Sequence, residues 1–272
     1  MGHTIGFVGA GQMAQALAGA FIRSGHVRAD QVWAGDPSPA AREAFAAIED
    51  GIHVVAENRP VVQATQVLIV AVKPQRVREA LKPLGSIITR AHLVMSICAG
   101  VTLEQFATML PDGTRLIRVM PNRACLVAQS ATAYCAAPTA TTEDLRLAAQ
   151  LLGSVGVALP VDETLMDAVT GLAGSGPAFV YVMMEALSDG GVMMGMPRHI
   201  ANTLAVQTVL GAAAMASETG RHPALLREEV TSPGGTTMAG LEALERGAAR
   251  AALMAAVRRA TERCAELRDA SS

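Results

Sequence analysis

Nothing in this sequence restricts the fold more than its opening. Thr4-Ile5-Gly6-Phe7-Val8 is a short apolar strand, Gly9-Ala10-Gly11-Gln12-Met13-Ala14 follows at once, and an alanine-rich helical segment then runs to about Ser24. A G-x-G-x-x-A string alone means little; between a strand and a helix it has a mechanical reading. Gly9 permits the tight turn, Gly11 lets a pyrophosphate approach the backbone, and Ala14 allows the helix to pack closely on the strand. The expected fold class is therefore α/β, beginning with a Rossmann-type doubly wound domain that binds a dinucleotide.

The βα alternation continues. Strands are expected at Gln31–Ala34, His53–Ala56, Val67–Val72, Leu93–Cys98, Arg115–Met120, Ala131–Cys135 and Val155–Val161. Val67–Val72 is a continuous apolar run, as a central parallel strand requires. Helices are expected at Pro39–Ile48, around Pro60–Ala64, and at Val77–Ile88, Leu103–Leu110 and Thr142–Leu152. The strand ends at Gly9, Lys73, Ala99 and Asn122 should share one edge of the sheet. Asp36, after the second strand, occupies the place of an acidic residue that takes the adenosine ribose 2′-hydroxyl and favours NAD. Its other reading is a turn or N-cap residue in Asp36-Pro37-Ser38. Ser38 and Arg42 could instead meet a 2′-phosphate, which would suit NADP.

Composition narrows the function classes. The chain of 272 residues is 51% hydrophobic and carries a formal net charge of −2, so it is neither disordered nor drawn electrostatically to nucleic acid. One Trp, two Tyr and five Phe leave little for base stacking. Cys98, Cys125, Cys135 and Cys264 show no metal-ligand spacing and suit buried thiols in a reducing compartment, so no metal site is expected. No signal peptide precedes the first strand, and no unbroken apolar run reaches membrane-spanning length. A soluble cytoplasmic protein is the expectation.

Strand patterns stop near Asp162, which divides the chain into a dinucleotide-binding domain (1–162) and a helical domain (163–272). Helices are expected at Glu163–Thr170, Ala178–Met194, Arg198–Thr219, Ala224–Val230, Thr236–Arg246 and Ala248–Leu267, with a break at Gly171–Pro177. Ala178–Met194 and Arg198–Thr219 are apolar on most of their circumference and must be buried nearly all round. A domain this small has too little interior for both, so a homodimer through this domain is expected, with a packing layer inside one chain as the other solution. Between two of these helices lies Ser232-Pro233-Gly234-Gly235-Thr236-Thr237. Its glycines can bring N–H groups close to a ligand, and the helix that follows aims unpaired donors and a dipole the same way. Such a loop is either a cradle for a carboxylate or phosphate or an ordinary turn with a Thr N-cap.

Elimination bears on the chemistry. Lys73 and Lys82 are the only lysines, so the helical domain has none to move an alcohol proton. His199 and His222 sit beside prolines at helix starts, which suits capping better than catalysis. Hydride addition to an already protonated C=N needs no strong general base from the protein.

The motifs Ala71-Val72-Lys73-Pro74, Ser96-Ile97-Cys98-Ala99-Gly100-Val101, Met120-Pro121-Asn122, Gly174-Ser175-Gly176-Pro177-Ala178 and Ser232–Thr237, in that order after the N-terminal glycine string, resemble the pyrroline-5-carboxylate reductase family, whose reaction is the last step of proline biosynthesis. The resemblance spans nearly the whole chain, and the C-terminal Ser-Pro-Gly-Gly-Thr-Thr run is its most specific element. It implies an oxidoreductase using NADPH or NADH, which would lie on Gly9, Ala10, Gly11, Gln12 and Met13. The ribose end would fall near Asp36 and Ser38, and the nicotinamide end near Ala71, Val72, Lys73, Pro74 and Ala99. The carboxylate of pyrroline-5-carboxylate would sit on Ser232, Gly234, Gly235, Thr236 and Thr237. Thr237 would hydrogen-bond the ring nitrogen as the catalytic residue, and Gly176 would shape the pocket. The family dimerises through its helical domain.

One departure stands out. The family continues Met-Pro-Asn with Thr-Pro, whereas here Arg123-Ala124 follow. Pointing inward, Arg123 would alter substrate size; pointing outward, it is a surface change. The alternatives are reduction of a related cyclic imine or imino acid, and a non-catalytic nucleotide-binding protein of the same fold.

Overall fold

The computed structural model describes residues 3–269. Two compact units make up the chain. The first runs through Ser175 and takes in the end of the last helix from Ala260; the second is Gly176–Arg259.

The first unit is built on eight strands, β1 (Ile5–Val8), β2 (Val32–Gly35), β3 (His53–Val55), β4 (Val67–Val70), β5 (Leu93–Ser96), β6 (Arg115–Met120), β7 (Ser130–Ala136) and β8 (Gly156–Pro160). Their order is β3-β2-β1-β4-β5-β6-β7-β8. Only the β6–β7 pair is antiparallel; the other six pairings are parallel. The order reverses between β1 and β4, the place where a doubly wound sheet opens a ligand crevice beyond its strand ends. All eight strands fall where the alternation of apolar runs and turn residues puts them.

Helices α1 (Gln12–Arg23), α2 (Pro39–Ala46), α3 (Asn58–Ala64), α4 (Val77–Leu81), α5 (Leu103–Ala107), α6 (Thr142–Gly153) and α7 (Met166–Val169) complete this unit. The core is aliphatic on both faces of the sheet. The aromatic exceptions are Tyr134, Phe106 on the other face, and a cluster in which Phe7 stands 5.4 Å from Phe45 and 6.5 Å from Phe21, ring centre to ring centre. Ala14 is fully buried in the core cluster that also holds Ile5 and Phe7 of β1, in keeping with its small side chain. The segment expected as one helix over Val77–Ile88 is cut short at Leu81 and continues as a 3₁₀ turn, Lys82–Leu84. Pro83 has no N–H to give to an α-helical bond, which accounts for the change.

The expected break at Gly171–Pro177 is not a break. Thr170–Gly174 is a π-helical turn closed by the Ser175 N–H on the Thr170 carbonyl at 2.9 Å, and the next helix starts at Gly176. Glycine is a poor helix former, so a run of it suggests a loop. Here Gly174 serves packing: a Cβ there would stand 2.7 Å from Met120 Cε.

The second unit contains α8 (Gly176–Met193), α9 (Arg198–Thr219), α10 (Pro223–Glu229), α11 (Thr236–Arg246) and the first part of α12 (Ala249–Asp269). Helices α8 and α9 approach closely at Gly191, where a Cβ would lie 3.2 Å from that of Ala201. Arg198 Nη1 donates to Ser188 Oγ at 3.1 Å and to Asp189 at 2.5 Å, and the Ser188 hydroxyl donates to Asn202. Beyond this seam the apolar circumference is uncovered in a single chain. Tyr181 and Val182 on α8 are 62% and 64% exposed, and Leu204 and Leu210 on α9 are 50% and 57% exposed. As one unbroken helix of 22 residues, α9 is long and apolar enough to cross a membrane by length and composition alone. The apolar sequence itself is not unbroken: Asn202, Thr203 and Gln207 interrupt it without breaking the helix.

Candidate active site

Strand ends converge on one edge. Gly9 N–H donates to the Gly35 carbonyl at 2.8 Å, Asp36 N–H to Val55 at 3.2 Å, Ala71 N–H to Val8 at 2.9 Å and Ile97 N–H to Val70 at 3.0 Å. Beyond these ends lies a cleft of about 880 Å³. Gly9, Gly11, Asp36, Ala71, Val72 and Lys73 line it, so one site gathers residues named from three separate motifs.

The glycines differ in what they do. Gly9 has φ +100°, and a Cβ there would come within 3.0 Å of the Ala71 carbonyl oxygen and Val72 Cγ1. Its lack of a side chain serves the turn. Gly11 has ordinary φ −69° and nothing within 4 Å of where a Cβ would stand. Its lack of a side chain leaves open space next to the start of α1, whose first turn no side chain caps. A wall of this kind suits a pyrophosphate: bare backbone, unpaired N–H donors and a helix dipole.

Asp36 fills the turn reading and also faces the cleft. Its Oδ2 accepts the Ala10 N–H at 2.9 Å and its Oδ1 the Ser38 N–H at 2.9 Å. The cap of α2 is Ser38, whose hydroxyl accepts the Ala41 N–H at 3.4 Å. Arg42 Nη1 donates to the Asp36 and Pro37 carbonyls at 2.8 and 2.9 Å. Ser38 therefore lies outside the cleft lining, as do Ala10, Gln12, Met13, Pro74 and Ala99. Ala10 is fully buried behind the turn, Met13 is half-buried with its sulfur 3.2 Å from Cys125 Sγ, and Pro74 opens a 3₁₀ turn that ends at Arg76.

The sequence reading missed Asn58, Arg59, Arg76 and Glu79, which also line the cleft. Asn58 and Arg59 follow the end of β3, and the same-edge rule applied to that strand would have found them. Asn58 Oδ1 is buried and has no hydrogen-bond partner among the described residues. It occupies the space beside Gly35 that a Cβ would need, at 2.4 Å. Arg76 makes a two-pronged pair with Glu79, 2.9 Å on each arm.

The Met120-Pro121-Asn122 motif is structural. Asn122 is buried; its N–H donates to Ser130 Oγ at 3.1 Å, its Nδ2 to the Ala173 carbonyl at 3.0 Å, and its Oδ1 accepts from Ala124 N at 3.1 Å. Arg123, the departure from the family pattern, is exposed.

The Ser232–Thr237 loop and Gly176 belong to the second unit. Gly234 has φ +66°, Gly235 N–H closes a turn on the Ser232 carbonyl at 3.0 Å, and α11 begins at Thr236. The N-cap is Gly235 rather than the expected threonine, and it offers no side-chain oxygen to the first turn. The leading N–H groups of α11 are thus left for another acceptor. A Cβ on Gly235 would collide with Ser232 Oγ at 2.2 Å, so only glycine lets that hydroxyl fold over the helix start. Thr237 is half-buried and Thr236 exposed; Gly176, the first residue of α8, has open space around it. His222 Nδ1 accepts the Ala224 N–H at 3.2 Å, a capping role, and His199 is exposed.

Comparison with known proteins agrees with this layout. The family model for pyrroline-5-carboxylate reductase dimerisation matches residues 163–267, and that for NADP oxidoreductase, coenzyme F420-dependent, matches residues 4–100. A pyrroline-5-carboxylate reductase of Methanosarcina acetivorans is 48% identical over 97% of each chain. The structure of a pyrroline-5-carboxylate reductase from Coxiella burnetii superposes with a TM-score of 0.92 at 32% identity, covering 98% of this chain and 99% of that one. That of Plasmodium falciparum pyrroline carboxylate reductase, with NADP bound, gives 0.86 at 27% identity over 97% of each. Near-complete coverage, high identity and the ordered motifs together establish that the chain belongs to the pyrroline-5-carboxylate reductase family.

Proposed function

We propose that this chain is an NAD(P)H-dependent oxidoreductase that reduces 1-pyrroline-5-carboxylate to L-proline. The observation that carries the reading is the loop before α11, with glycine at the N-cap and unclaimed N–H groups behind it. It stands in a chain whose near full-length relatives are pyrroline-5-carboxylate reductases.

When bound, the reduced nicotinamide supplies the hydride for C5 of the ring. The chain's own work is placement. Backbone donors at Thr236 and Thr237, shaped by the bends at Gly234 and Gly235, hold the substrate carboxylate with the hydroxyls of Ser232 and Thr236. The Thr237 hydroxyl hydrogen-bonds the ring nitrogen, whose protonated C=N becomes an amine as the π pair moves onto nitrogen. Gly176 leaves room for the ring. Gly9 and Gly11, with the start of α1 at Gln12 and Met13, hold the pyrophosphate of the dinucleotide. Asp36 and Ser38 flank its ribose end, and Ala71, Val72, Lys73, Pro74 and Ala99 flank its nicotinamide end. No strong base is needed, so rate comes from positioning and fixed dipoles.

The domains we assign are 1–162 for the cofactor and 163–272 for substrate binding and dimerisation. Support for a homodimer comes from the uncovered apolar faces of α8 and α9 and from the dimerisation match across them. A cytoplasmic setting is supported by four free, buried cysteines.

Steady-state assays with five- and six-membered cyclic imino acids test the substrate. The five-membered ring should give the higher kcat/KM. Preference for the larger ring would move the assignment to a related imine, and no oxidation of NADH or NADPH with any ring would remove the reductase reading.

A further inference from the structure

Resting on the reductase reading, we propose that Asp36 makes the chain prefer NADH to NADPH. The carboxylate stands at the end of β2 and lines the cleft, where an acidic side chain accepts a ribose 2′-hydroxyl and repels a 2′-phosphate. It cannot swing away without breaking two bonds, because each oxygen already accepts a backbone N–H, from Ala10 and from Ser38. A carboxylate oxygen retains a further lone pair, so a ribose hydroxyl can still donate to it.

The groups that would welcome a 2′-phosphate are engaged elsewhere. The Ser38 hydroxyl caps α2, and Arg42 holds the carbonyls of Asp36 and Pro37 from behind the turn. Arg76 is paired in two-pronged fashion with Glu79. Across the cleft lining, Asp36, Glu57 and Glu79 offset Arg59, Lys73 and Arg76, so no cationic excess favours an additional phosphate.

The test is equilibrium binding, read by quenching of protein fluorescence or by calorimetry with NADH and NADPH on the full-length protein. NADH should bind at least tenfold more tightly. In Asp36→Asn, which keeps the size and one of the two acceptor oxygens, and so one of the two backbone N–H bonds, but removes the charge, that ratio should shrink severalfold. NADPH binding as tightly as NADH, or an unchanged ratio in Asp36→Asn, overturns the assignment and leaves the reductase reading standing. Failure of the wild-type protein to bind either dinucleotide overturns both.

Discussion

The Asp36 carboxylate accepts the backbone N–H of Ala10 at 2.9 Å. The bond ties the end of β2 to the glycine turn after β1 and meets the donor of a fully buried residue. The turn's shape is thus set from within the protein, before any ligand arrives. Binding energy then need not be spent on ordering the loop.

The unlike surroundings of the two turn glycines separate folding from binding. Gly9→Ala puts a Cβ at φ +100° against Ala71 and should cost about 1–3 kcal/mol of stability. Gly11→Ala has space and an ordinary φ, so its urea midpoint should match wild type while dinucleotide affinity falls by about a power of ten or more, since the new methyl enters the open space proposed for the pyrophosphate. Denaturation curves set beside binding titrations distinguish the two. A Gly11→Ala protein that binds normally would show that the pyrophosphate does not pass there.

Thr237→Ala should lower kcat/KM by about one to two powers of ten, the effect of one lost transition-state hydrogen bond. Thr237→Ser should retain most of the rate. Unchanged turnover in the alanine variant removes Thr237 from the chemistry.

Arg118 is buried on β6, 3.0 Å from Glu163 and 3.9 Å from Asp167. Asp167 also takes Arg268, near the end of α12. Arg118→Met should destabilise the protein by about 3 kcal/mol, the low end for stranding a buried carboxylate, because Glu163 is a third exposed and Asp167 keeps its second arginine. Thermal unfolding at two salt concentrations checks this; a loss below about 1 kcal/mol would mark the cluster as surface-like.

Burial pushes the Cys98 thiol up to about 11, against the hydrogen bond from its surroundings at Ser96. Burial does the same for Cys135, to about 11, with Glu163 adding to it. The folded protein keeps these protons where the unfolded chain has released them. Their contribution is therefore whole below about pH 9 and is lost as the pH rises toward 11, by roughly 2–3 kcal/mol for Cys98 alone. Urea midpoints between pH 8 and 11 should fall, and Cys98→Ala should flatten that fall. A midpoint independent of pH over this range contradicts it.

Much of this was legible in the residues because the signals were local. Apolar runs, several of them ended by glycine, proline or asparagine, mark the eight strands, and the glycine string marks the turn. What escaped the sequence was non-local. Gly171–Pro177 looks like a loop until Met120, from a distant strand, is seen to need the space at Gly174. Asp36 has two readings on paper, as ribose ligand and as turn residue; in three dimensions the turn hydrogen bonds are what hold it at the cleft. Asn58, Arg59, Arg76 and Glu79 carry no motif, and only the packing of α3 and α4 beside the strand ends brings them to the site.

Isotope tracing bears most directly on hydride delivery to a ring held by its carboxylate. NADH or NADPH deuterated at the transferable C4 position should yield L-proline carrying one deuterium at C5, in step with dinucleotide oxidation. Proline without deuterium, or dinucleotide oxidation with no proline formed, would contradict direct reduction of the pyrroline ring by this protein.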